Sequence, residues 1–179
     1  MGRHKTVDRE ALLVAAEEIV TQRGSVALTF EAVAERAGVS KGGVQSTFPS
    51  KASLLDAMAA RWIAATERQL VELSSDDESP LGLLRGYIRY TIDLDEKMHA
   101  QTSALLVAFA HSEKFKLELR EWYATFLRGF DTLPPDTAAF ARTAFLAAEG
   151  LSILQCIGFL PMLDEERRSC LRYLLTMLE

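Results

Sequence analysis

The sequence predicts an all-α protein, on three observations. Apolar residues recur at three- and four-residue intervals along nearly the whole chain. Alternation with a period of two, the mark of a half-buried strand, is never sustained. Glycine, proline and short polar clusters cut the chain into about nine helical stretches. With 179 residues, 49% hydrophobic and 25% charged, the chain can bury a core without a disulfide or metal.

Leu12, Ala15, Ala16, Ile19 and Val20 form one apolar stripe over residues 8–23, and Gly24 ends that helix. Thr29 caps a second helix, with Glu31 in its positive first turn. Val33, Ala34 and Ala37 face inward, and Gly38 stops it. Ser40 caps a short third helix in which Val44 and Phe48 share one face. Pro49 follows, and Ser50 caps a fourth helix over 51–73. The segment SSDDESP, residues 74–80, is the most polar of the chain and is expected to act as a hinge. Helices are then predicted over 81–95, 97–111 and 114–130. LPPD breaks the chain, a long helix runs over 137–159 to a stop at Pro161, and Asp164, Glu165 and Glu166 open a last helix over 164–178.

The net charge of −5 by itself argues against nucleic acid. Its distribution does not. Residues 1–51 sum to +1 and the remainder to −6. Arg3 and Lys5 make a short basic arm able to reach phosphates. Cys156 and Cys170 sit in apolar helical stretches without metal-ligand spacing and read as buried thiols of a reducing cytosol. No signal peptide and no apolar run of membrane-spanning length is expected. MGRHKT matches the short myristoylation pattern, with nothing later to support an anchor.

The weakest helix formers are concentrated in AGVSKGGVQSTFPSK, residues 37–51. Helix, glycine-containing turn and short helix make a helix-turn-helix, with Val39 plugging the turn. The second helix of that motif exposes one face to the DNA major groove. Gly42 and Gly43 each sacrifice roughly 1 kcal/mol of helix propensity, which close approach of a partner would explain. Lys41 and Gln45 share the face opposite Val44 and Phe48, flanked by Ser46 and Thr47. Lysine suits phosphate or guanine, and glutamine suits adenine. Lys51 would lie over the phosphate backbone.

Over LTFEAVAERAGVSKGGVQSTFPSKASLLDAM, residues 28–58, and the preceding REALLVAAEEIVTQRG, the chain resembles the N-terminal domain of the TetR family of bacterial transcriptional regulators. The resemblance implies a DNA-binding domain over 1–50 and a helical ligand-binding and dimerisation domain over 51–179. It implies a homodimer on a palindromic double-stranded operator, a repressor released by a small, mostly apolar effector, and no cofactor. It places Thr29 on phosphate, Ser40, Lys41, Gly43, Gln45, Ser46 and Thr47 on the recognition helix and its cap, and Lys51 as a backbone clamp. Where Gln45 stands, the family usually carries a tyrosine that contacts phosphate. The Gln-Ser-Thr run therefore loses that anchor or gains base reading.

The effector would lie among the middle helices, in an apolar pocket with few polar groups. Trp62, Tyr87, Tyr90, Met98, His99, Phe109, Trp122, Tyr123 and Phe126 are its candidate lining, with Arg89 and His111 as further polar groups. Ala138, Ala141, Phe145, Ala148, Leu151, Ser152 and Gln155 form a stripe suited to dimerisation with the last helix, with intrachain packing the plainer alternative. Two other readings are a DNA-binding dimer without small-molecule control and a helical-bundle enzyme. The second is disfavoured: EKMH offers one Glu-x-x-His where a di-iron site needs two, and no nucleophile or phosphate loop stands at motif spacing.

Overall fold

Asp8 starts the first helix by accepting a hydrogen bond from the Glu10 amide at 2.9 Å. In the computed structural model, which describes residues 8–75 and 77–178, that helix is α1 (Arg9–Arg23), followed by α2 (Phe30–Ala37), α3 (Lys41–Thr47), α4 (Lys51–Leu73), α5 (Pro80–Asp93), α6 (Glu96–Phe109), α7 (Glu113–Gly129), α8 (Pro135–Cys156) and α9 (Asp164–Thr176). Among the described residues there is no strand, and two single 3-10 turns complete the regular structure. The chain is all-α, as its periodicity predicts.

Caps explain most of the boundaries. Ser50 and Ser53 exchange bonds at the start of α4, each hydroxyl accepting the other's amide at 3.0–3.1 Å. Ser79 accepts the Gly82 amide at 3.1 Å, with Pro80 in the first helical position of α5. α8 begins at Pro135, two residues before the sequence suggests. A proline breaks a helix it interrupts but is well suited to open one.

The chain packs as two compact units, one of residues up to Trp62 together with Gln101–Leu117, the other of Ile63–Ala100 and Glu118–Glu179. The chain crosses between them inside α4, α6 and α7. The polar segment expected to be a hinge instead lies within the second unit. There Ser74 is buried, and Arg89 donates to the Leu73 carbonyl at 2.9 Å, closing the C-terminus of α4. An added Cβ at Gly86 would stand 2.5 Å from the Leu70 carbonyl oxygen, so the absence of a side chain lets α5 lie close on the end of α4.

In the first unit α1, α2 and α3 pack together, burying Leu12, Ala16, Val20, Val33, Val44 and Phe48. Arg61 of α4 pairs with Glu10 and Glu17 of α1, and the Arg9 guanidinium lies 5.2 Å from the Phe48 ring centre. In the second unit α5 packs on α8 and α9 around Leu84, Ile88, Phe130, Phe145 and Leu171. Arg167 of α9 is completely buried. It donates to the Thr91 and Leu94 carbonyls at 2.8 and 3.0 Å, satisfying acceptors left open at the end of α5, and holds Asp164 at 2.7 Å.

Three expectations are corrected here. Ala138, Ala141, Phe145 and Ala148 are buried against the same chain, so they form core and not a dimer face. Cys156 is half-buried but Cys170 is exposed. α8, at 22 residues, is long and apolar enough to cross a membrane by length and composition, although it carries Arg142 and Glu149 and packs on α5 and α9.

Candidate nucleic-acid interface and ligand cavity

α2 and α3 are set at their ends by side chains and one turn. The Thr29 hydroxyl accepts the Ala32 amide at 3.1 Å and the Ser40 hydroxyl accepts the Gly43 amide at 3.1 Å. Between the helices Gly38 adopts φ +66°, a left-handed turn that suits glycine, and the Val39 amide returns to the Ala34 carbonyl at 2.9 Å. α3 buries Val44, with Phe48 buried just past its end, and leaves Lys41, Gly42, Gln45 and Ser46 exposed on its other side. An added Cβ at Gly42 would meet only the Ser40 hydroxyl, at 3.9 Å. Packing within the chain therefore gives no reason for that glycine.

The polar residues of this face are arranged as follows. Ser46 and Thr47 turn their hydroxyls back to the Gly43 carbonyl at 2.9 and 3.0 Å. Lys41 pairs with Glu31 of α2, and that lysine is the main reason the Glu31 carboxyl titrates below its ordinary value. Lys51 donates to the Ser25 carbonyl at 3.1 Å. Gln45 is exposed. Thr29, Ser40, Lys41, Gly43, Gln45, Ser46, Thr47 and Lys51 all belong to the first unit. Arg3 and Lys5 lie outside the described residues.

The nine candidate ligand residues separate into groups. Trp62 and Phe109 pack together at 6.4 Å between ring centres, with Phe115, in the first unit. Tyr87, Trp122, Tyr123 and Phe126 meet in the second unit around Phe145, with Phe126 and Phe145 stacked at 4.7 Å. Tyr90 is half-buried; burial raises its pKa, and a bond with Thr66 opposes that rise. The Met98 amide donates to the Asp95 carboxylate at 2.7 Å. His99 is buried, with Nδ1 2.8 Å from the Asp95 carbonyl; burial lowers its pKa. Arg89 is engaged in closing α4, and His111 is exposed.

A cavity of about 760 Å³ opens within the second unit between α4, α5 and α7, a size that holds a drug-like molecule. Its apolar wall includes Ile63, Leu70, Leu83, Trp122 and Phe126. Tyr87 stands behind this wall, 6.3 Å from Trp122 and 5.9 Å from Phe126 between ring centres. The Tyr87 and Tyr123 hydroxyls both donate to the Glu149 carboxylate of α8. Burial pushes the Glu149 carboxyl up to about 7. Sequence reasoning missed Glu149. A signal existed: it follows Phe145 by four positions and Ala148 by one, on the inward face of α8.

Residues 12–58 match the family described as bacterial regulatory proteins, tetR family. Residues 82–179 match the tetracyclin repressor-like C-terminal domain. No curated protein matches the chain. Solved structures share its fold. A transcriptional regulator from Rhodococcus sp. Rha1 is 20% identical with TM-score 0.71, covering 94% of each chain. The multidrug binding protein EbrR, complexed with imidazole, is 21% identical with TM-score 0.64, over 93% of this chain and 88% of its own. NalD, the secondary repressor of the MexAB-OprM multidrug efflux pump in Pseudomonas aeruginosa, is 24% identical with TM-score 0.57, over 95% and 92%.

Proposed function

The chain belongs to the TetR family of bacterial regulatory proteins, a transcriptional regulator and not an enzyme, and from that premise we propose that it is a cytoplasmic repressor. It binds a palindromic operator as a homodimer through residues 1–50, and a small, mostly apolar effector held by residues 51–179 releases it. The observation that carries this reading is the bare face of α3. Lys41, Gln45 and Ser46 are exposed together on a helix capped by Ser40, and a Cβ at Gly42 would meet only the Ser40 hydroxyl, at ordinary contact distance. Such a face admits close approach of a groove edge. Gln45 reads a base and Lys41 exchanges Glu31 for DNA, while Lys51, and Arg3 and Lys5 of the arm, serve phosphates.

Dimerisation is supported by apolar surface on α8 and α9. Leu146 and Ile153 of α8 and Ile157 just past its end are 61%, 43% and 49% exposed, and recur with Gly150 at four- and three-residue spacing. Tyr173 of α9 and Met177 just past its end are likewise exposed. This is the pattern of a helical seam awaiting a partner, and a two-fold axis would bring the same seam from a second copy. Effector control is supported by the cavity, because α4 contributes its later residues to that wall and its earlier residues to the unit that holds α3. An effector preferring the conformation with wrongly spaced recognition helices would weaken DNA binding by its differential affinity, typically about 1–3 kcal/mol.

Selection from a random DNA pool tests the reading. The expected outcome is one two-fold symmetric sequence enriched by a dimer. Recovery of no sequence above background would remove the operator reading.

A further inference from the structure

The walls of the cavity are apolar, but its charged lining is of one kind. Among the described residues every ionisable side chain lining it is a glutamate: Glu67 from α4, Glu78 ahead of α5, and Glu118 and Glu121 from α7. Arg128 lies 2.8 Å from Glu121 and offsets that carboxylate from its side. No lysine, arginine or histidine enters the described lining. Trp122 and Phe126 present aromatic rings to the same space. One aromatic layer further in, Tyr87 and Tyr123 direct their hydroxyls to Glu149, so a further carboxyl stands behind the rings.

These features select among ligand classes. An anion would enter against several carboxylates with no positive partner in the lining. A neutral apolar molecule would fill the walls but strip water from Glu67 and Glu78 without replacing it. A cation with an apolar body satisfies both requirements. Its body covers the aromatic and aliphatic wall, and its charge meets the carboxylates and the ring faces. A diffuse or quaternary charge fits best, since it sheds its water more readily than a small ammonium.

We propose that this cavity takes an amphipathic organic cation, an apolar body carrying a delocalised or quaternary positive charge. The proposal rests on the effector-controlled reading given above and names the class of effector.

Tetraphenylphosphonium and tetraphenylborate, nearly the same shape with opposite charge, separate shape from charge. Calorimetric titration of each into the full-length protein is expected to show the phosphonium bound at least about tenfold more tightly, a gap of about 1.4 kcal/mol. A variant carrying Glu67→Gln, Glu78→Gln and Glu121→Gln is expected to narrow that gap while keeping the urea midpoint of the parent. Equal affinity, preference for the borate, or binding of neither ion overturns the proposal. So does a gap that survives the triple substitution. Operator affinity measured beside each titration keeps the two readings apart. Phosphonium binding that leaves DNA affinity unchanged supports the cation site and removes effector control. Operator release by a neutral apolar compound, with neither ion bound, retains the effector-released regulator and overturns the cation site.

Discussion

Replacing Glu149 by glutamine should remove a loss of stability that grows in the parent protein as pH rises. The carboxyl is largely withdrawn from water on the side of α8 that carries buried Phe145, and its titration rises from an ordinary 4.5 to about 7. At about 1.4 kcal/mol per pH unit, that displacement corresponds to roughly 3 kcal/mol. The sign follows from which state holds the proton. Below about 4.5 the carboxyl is protonated folded and unfolded, and burial exacts no penalty. Between 4.5 and about 7 the unfolded chain ionises first, so stability falls as pH rises, and above 7 it levels off. Glutamine has the carboxyl's shape, accepts from one of the two phenols through its carbonyl, donates to the oxygen of the other through its amide nitrogen, and does not ionise. Urea unfolding of both proteins at fixed concentration, from pH 5 to pH 8, should show the variant gaining on the parent by up to about 3 kcal/mol. A difference that stays flat across this range would refute the reasoning. A variant that lost ground to the parent as pH rose would show that the two phenol donors, which favour the ionised form, outweigh burial.

Other outcomes follow from the same geometry. Gly42→Ala should stabilise the free protein by up to about 1 kcal/mol, since α3 gains propensity and the Cβ makes only an ordinary contact with the Ser40 hydroxyl, yet weaken operator binding; unchanged DNA affinity by anisotropy titration would deny that the position serves close approach. Glu31→Gln frees Lys41 from its partner and should tighten binding to all DNA by about two- to fivefold at low salt, the range expected for an exposed pair; a change confined to one sequence would contradict this. Ile153→Glu places a charge on the exposed seam of α8, twice in a two-fold interface, and should raise the dimer dissociation constant by about a hundredfold or more. Light scattering showing an intact dimer at low concentration would place the interface elsewhere.

The front of the chain was legible because its instructions are local. Thr29, Ser40 and Ser50 each cap a helix through a partner within three residues, and Gly38 turns the chain by its own backbone. The cavity was less legible because lining depends on which helices meet. Trp62 and Phe109 look as eligible as Trp122 and Phe126 in sequence, yet they pack in the other unit. α8 misled for a different reason. It has two apolar sides, and its small residues, Ala138, Ala141 and Ala148, turn inward. The larger Leu146 and Ile153 are the ones left outside. The small residues assigned from sequence to a dimer seam are core instead.

Comparing the bases selected by the parent, by Gln45→Ala and by Lys51→Ala tests most directly whether the open face of α3 reads DNA. Loss of preference at one position in each half-site for Gln45→Ala, against an unchanged motif, weaker overall binding and a salt slope lower by about one for Lys51→Ala, is the predicted result. An identical motif from Gln45→Ala, with affinity reduced equally on every sequence, would contradict it.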